Sequence, residues 1–382
     1  MSVFRNFIFV VFVVYTILVY LLSNIVSLDY IDEVYAALLG CFLVKAYKNK
    51  EIIFFFLYFA FCLFYSFRYP ENLSRTALLV DFVQQIKPFL FFYFFYNYPI
   101  DFTWGKKLVL KALCVLSSVS FLVSFLYFGN GGGLVYHPFV FGICSFCFAI
   151  LFYYLSKSNL KNLIVVLMIL FVGLLSLRAK YMGEVVVAVA TIFFVRKRIK
   201  INFKYFFVGA ATLLSGFFLV VDKFKFYFVE SDGAARYLLY KTMPQILMDY
   251  FPFGSGFASY ATHASGKYYS LLYYKYGIAF GYGMSEDNFS YIADTYFPVL
   301  AQFGVVGIVL FLLFWYRRYT ELVEVSVHNI REYQIGLIII AMVMIESVAG
   351  PVFVMSFNFI PMAILGSICG MKNLKKVEPK VE

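Results

Sequence analysis

The sequence predicts an all-α, polytopic integral membrane protein, folded as one membrane domain over residues 1–382, and three observations predict it. Apolar runs close to the ~20 residues that cross ~30 Å of hydrocarbon recur along the chain. The composition is 63% hydrophobic and only 14% charged, with a mean hydropathy of +0.83, which a water-soluble fold cannot carry without large exposed apolar patches. The basic residues fall in short clusters between the runs.

In chain order, about twelve runs of spanning length centre near Val13, Leu38, Leu57, Phe91, Val119, Cys147, Ile169, Val189, Thr212, Gly304, Met342 and Ile360. The first, Val3 to Ser23, starts with a basic residue but lacks a small-residue cleavage site, so it reads as a retained span. The last two are divided only by Gly350 and Pro351. With the N-terminus in the cytoplasm, alternation puts most of the 32 basic residues on the inner side: Arg5, Lys45 to Lys50, Lys106 to Lys111, Lys157 and Lys161, Arg196 to Lys204, Arg317 to Arg331, and Lys372 to Lys380. Both termini are then cytoplasmic. A net charge of +11 distributed this way sets topology and is not a nucleic-acid surface. The six cysteines lie within apolar runs, and the Cys144/Cys147 spacing, without a second ligand pair, reads as helix packing.

One outer loop is long, residues 222–290, between the ninth and tenth spans, and loops of that size carry function. It holds eleven tyrosines with equal numbers of basic and acidic residues, and helical stretches are expected at Ala234–Asp249 and Tyr268–Tyr276. Its aromatic faces suit either sugar stacking or anchorage at the headgroup level.

Several polar residues are costly where they stand. Arg178 and Lys180 interrupt the outer turn between the seventh and eighth spans, against the charge bias, which points to anion binding or to snorkelling toward headgroups. Glu184, four residues after Lys180, is placed to pair with it. Arg236 follows the cap-like Ser231-Asp232-Gly233. Asp294 opens the tenth span, where a lipid-facing carboxylate costs on the order of 3 kcal/mol, so it faces a polar cavity or a cation. Asp81, Gln84, Gln85 and Lys87 share the fourth span, as a cavity lining or with Asp81 paired to Lys87. No His-Glu-x-x-His, phosphate-loop or clustered metal spacing occurs, so neither a metal nor a nucleotide cofactor is expected.

Three stretches resemble the O-antigen polymerase and O-antigen ligase superfamily of bacterial surface-polysaccharide assembly. They are Leu175-Ser176-Leu177-Arg178; Arg236 followed by Tyr250-Phe251-Pro252-Phe253-Gly254-Ser255-Gly256-Phe257; and Asp294-Thr295-Tyr296 leading to Gln302-Phe303-Gly304-Val305-Val306-Gly307. The resemblance implies a GT-C-like helical bundle in the bacterial inner membrane. It also implies metal-independent glycosyl transfer from polyprenyl diphosphate on the extracytoplasmic face, with catalysis by Arg178, Arg236 and Asp294. Substrate contacts are expected at Lys180, Tyr237, Gly254, Gly256, His263, Asp287, Tyr296 and Lys87, with Asp287, Glu286 and His263 as alternative bases. The implied partners are the polyprenyl-diphosphate-linked oligosaccharide, the bilayer, a flippase and a chain-length regulator. Ligases of the superfamily carry a His-Asn-like pair near the position of Asp294; its absence here favours a repeat-unit polymerase over a ligase. A lipid-linked oligosaccharide transporter is the non-enzymatic alternative, suggested by the span count and by Asp81, Lys87 and Glu346 within spans.

Overall fold

The computed structural model describes residues 2–22, 31–43, 50–68, 70–72, 74–129, 137–197 and 235–377. Among these there is no strand. The helices are α1 (Ser2–Tyr15, continued by a π turn, Thr16–Leu22), α2 (Ile31–Leu43), α3 (Lys50–Arg68), α4 (Arg75–Asn97), α5 (Trp104–Phe128), α6 (Pro138–Leu155), α7 (Leu160–Leu174), α8 (Ala179–Phe194), α9 (Ala235–Asp249), α10 (His263–Lys267), α11 (Leu272–Lys275), α12 (Gly304–Val325), α13 (Ile330–Val348) and α14 (Phe359–Val377). Six described segments are long and apolar enough to cross a membrane: Phe4–Leu22, Glu51–Arg68, Arg75–Asn97, Trp104–Phe128, Pro138–Leu155 and Phe297–Val325. The chain is therefore a helical membrane protein. The segment near Thr212 and residues 222–234 of the long loop lie outside the described residues.

The centre of the bundle is α4 packed on α14. Gly366 and Gly370 make that crossing possible: a Cβ there would fall 2.3 Å from the Phe92 carbonyl and 2.1 Å from that of Tyr96. Small residues four apart let two backbones touch, which is how helices gain contact where lipid removes the hydrophobic drive to associate. Around this pair α2 lies on α4, α7 on α6, and α8 on α13.

Polar groups sort to the two ends. At one end Arg5 pairs with Asp101, Arg317 and Arg318 pair with Glu51, and Arg331 donates to the Tyr154 carbonyl. The other end carries α9 to α11 and the turns joining α7 to α8 and α13 to α14.

Three local expectations are corrected. The last span begins at Phe359 rather than centring near Ile360, because after Val348 the chain makes two 3-10 turns, Val352–Val354 and Ser356–Asn358, before a helix can resume. Pro351 lacks the N–H to continue α13, whereas Pro361 is tolerated in the first turn of α14. The helix expected over Tyr268–Tyr276 is two short pieces. A Thr262/Ser265 capping box starts α10 earlier, and Tyr269, at φ +26°, interrupts the chain before α11. Of the two readings of the polar residues in the fourth span, the Asp81–Lys87 pair does not form. Lys87 is buried against Asp32 and, at 3.3 Å, Glu33 in the first turn of α2, while Asp81 accepts from the Ala258 amide (2.7 Å) and from Gln85 (3.1 Å).

Candidate functional site

The charged cluster at the loop-bearing end is assembled from α8, α9, α13 and the segment before α12. The α7–α8 turn is tight: Leu177 adopts φ +53°, a left-handed conformation that costs a non-glycine residue about 1 kcal/mol or more. That turn makes Arg178 the N-cap of α8. Tyr181 clamps the two helices by donating to the Leu170 carbonyl (2.9 Å), in space that only Gly173 leaves open; a Cβ at 173 would meet the Tyr181 hydroxyl at 2.1 Å.

Arg178 and Lys180 both turn to Glu346 near the end of α13. The Lys180 ammonium lies 2.8 Å from Oε2, an Arg178 guanidinium nitrogen 3.5 Å from Oε1, and Lys180 also donates to the Ala349 carbonyl (2.5 Å). Glu346 is 1% exposed, a burial that a carboxylate tolerates only with such partners. The Arg178 guanidinium also stacks on Phe139, 4.7 Å from the ring centre. Glu184 does not take the Lys180 ammonium as expected. It lies buried within electrostatic reach of Glu346, Arg178 and Lys180.

Two further elements dock on the same end of α13. The Tyr240 hydroxyl on α9 donates to the Val348 carbonyl (2.7 Å), and the Tyr296 amide donates to the Ser347 carbonyl (3.1 Å). Together they bring Arg236 and Asp294 into an ion pair of 2.6 Å, with the side chains 20% and 31% exposed. Burial raises the Asp294 pKa above its ordinary carboxylate value; Arg236, Lys180 and Arg178 all oppose that shift without cancelling it. Arg178, Lys180, Arg236 and Asp294 thus share one charged site. Its cations and Asp294 are partly open, and its carboxylates Glu346 and Glu184 are buried.

The remaining expected contact residues are distributed differently. Tyr237 stands one residue from Arg236, with the Lys241 ammonium 5.2 Å over its ring. His263 stands at the start of α10 beside Phe289; one side of the ring opens outward, while partial desolvation on the other, and then Lys267, lower its pKa and favour the neutral ring. Asp287 is exposed on the loop. Four residues stand apart from any open site. Lys87 is committed to Asp32 and Glu33. Tyr296 is 2% exposed, its ring packed on Phe311 and Phe353.

Gly254 and Gly256 are packing glycines. A Cβ on Gly254 (φ +84°) would meet the Gly304 nitrogen at 2.2 Å, and one on Gly256 (φ +85°) would meet the Ser66 hydroxyl at 2.6 Å. The Gly256 amide instead bonds the Gln302 carbonyl (2.9 Å), so the element latches the loop onto the start of α12.

Glu346 is the residue that sequence reading left out of the site. Its only signal is an acidic side chain at the end of an apolar run, just before the Gly350-Pro351 break. In comparisons with known proteins, no family model matches the chain, and no curated protein or solved structure matches it.

Proposed function

We propose that the protein is a surface-polysaccharide polymerase, a glycosyltransferase that moves a growing glycan from polyprenyl diphosphate onto the next lipid-linked repeat unit at the extracytoplasmic face. The observation that carries this reading is the Arg236–Asp294 pair, partly open and within electrostatic reach of Arg178 and Lys180, which are themselves held on the buried Glu346, at the end of the bundle that bears the large loop. That charge arrangement suits a diphosphate leaving group beside an acceptor hydroxyl.

In the reaction, the acceptor hydroxyl oxygen attacks the anomeric carbon of the donor sugar as the carbon–oxygen bond to the diphosphate breaks. The bonding electron pair leaves with the polyprenyl diphosphate. Arg178 and Arg236 take its developing charge through paired N–H donors, which an ammonium cannot match in geometry. When Arg236 turns to the diphosphate, Asp294 is released to accept the hydroxyl proton.

The test is the pair Arg178→Lys and Arg236→Lys, which keep the charge and remove the planar fork. Each is expected to lower polymer formation about a hundredfold, corresponding to ~3 kcal/mol of lost transition-state stabilisation, with the protein still at near-normal levels in the membrane. Wild-type polymer from both variants would refute the guanidinium role.

A further inference from the structure

Residues 283–291 close a compact loop at its neck, where the Tyr291 amide donates to the Gly283 carbonyl (3.1 Å), and Met284 and Ile292 are fully buried as its anchors. Two rings at this neck remain outside: Tyr282 is 77% exposed and Tyr291 43%, with centroids 5.9 Å apart and planes inclined by 35°. Their placement is held. The backbone at Gly283 (φ +69°) passes so close to Tyr291 that a Cβ would lie 2.3 Å from the ring. Tyr274, 54% exposed, donates to Glu286 (2.7 Å), and Asp287 and Asn288 are exposed beside it at the loop tip. An anchored loop that fixes aromatic rings yet leaves them uncovered by the protein forgoes the burial that would offset their ordering, which marks them as a surface kept for a ligand.

We infer that Tyr282 and Tyr291, with Glu286 and Asp287, form a saccharide-binding platform. The rings offer flat faces to the C–H side of a sugar, and the carboxylates accept hydrogen bonds from its hydroxyls. Charge decides between a sugar and a lipid headgroup. From Tyr276 to Tyr316 the sequence contains no lysine or arginine, whereas binding to anionic headgroups draws on clustered basic residues. The same carboxylates repel a diphosphate, so the platform takes glycan and leaves the phosphates to the arginines. Tyr291 precedes Asp294 by three residues, a chain length of at most about 11 Å, within the reach of one sugar unit or two from the carboxyl proposed to receive the acceptor's proton. This assignment as the acceptor-glycan subsite rests on the glycosyl-transfer reading above.

The experiment measures binding of free oligosaccharide, released by mild acid from the lipid-linked pool of the source cells, to the full-length protein in nanodiscs by saturation-transfer NMR. Tyr282→Ala and Tyr291→Ala are each expected to weaken binding about tenfold, while Tyr282→Phe and Tyr291→Phe keep it and report an intact loop. Undiminished binding by both alanine variants overturns the platform, as does an absence of sugar binding by the wild type. If the alanine variants instead bind sugar normally and the wild-type Tyr282 and Tyr291 rings receive saturation from the acyl chains of the nanodisc lipid, the rings are a membrane anchor. The readout needs no bond formation: sugar binding at these rings without polymer synthesis would leave the platform standing and remove the polymerase.

Discussion

At Asp294, burial favours the protonated carboxyl while three neighbouring cations favour the ionised one, and burial wins. Because the folded-state pKa lies above the unfolded 3.8, the folded protein binds the proton more tightly, and Asp294's contribution to stability is lost as pH rises through that window. For a base, the same shift means that activity appears only once the proton has left. The acid limb of the rate profile is therefore expected above the ordinary carboxylate range, and Asp294→Asn removes the activity to which that limb belongs. An acid limb at or below pH 3.8 with wild-type protein would show that another group is the base. Arg178 and Asp294 stood out in the sequence because a charge against the topology bias, or in an apolar setting, needs a reason, whereas Arg236 alone reads as an ordinary surface arginine and was singled out only by the resemblance. Glu346 was not, since its partners lie 166 and 168 residues away and no spacing rule links a helix end to a distant turn.

At the scale of elements, the glycine-rich stretch after α9 shows why local pattern misleads. Glycines that let a ligand approach a backbone and glycines that let two backbones approach each other leave the same signature. Here the second use holds, with Gly254 and Gly304 facing each other. A Cβ on Gly304 (φ +61°) would lie 2.2 Å from the Pro252 carbonyl and 2.4 Å from the Gly254 nitrogen. Gly254→Ala and Gly304→Ala are each expected to cost about 3 kcal/mol or more, seen as a lowered Tm in detergent and faster proteolysis of the loop. Gly105→Ala, in α5 with nothing within 4 Å, is expected to be neutral or stabilising. An unchanged Tm for both latch variants would show that the loop does not depend on this contact. Of the twelve expected spans, the six near Val13, Leu57, Phe91, Val119, Cys147 and Gly304 match described helices long and apolar enough to cross a membrane, so these were legible from apolar run length. The tie between the Asp81 side chain and the Ala258 backbone was not, because a backbone amide carries no residue signature.

At the scale of the whole molecule, the bundle divides its charges by purpose. One end holds Arg5, Arg317, Arg318 and Arg331 against Asp101, Glu51 and the Tyr154 carbonyl. The other gathers Arg178, Lys180, Arg236 and Asp294, the last of them three residues after the exposed ring of Tyr291. Helix docking and glycine contacts build a rigid frame, and the polar cluster occupies the point where α8, α9 and α13 meet. On the proposed reading, this cluster joins lipid-linked sugars. The most direct test supplies the purified protein in proteoliposomes with lipid-linked repeat unit alone, in the presence of EDTA and without nucleotide sugar. A ladder of successively longer lipid-linked products is the predicted result. Transfer only after a second kind of acceptor is added, or transbilayer movement of the oligosaccharide with no new glycosidic bond, would contradict it.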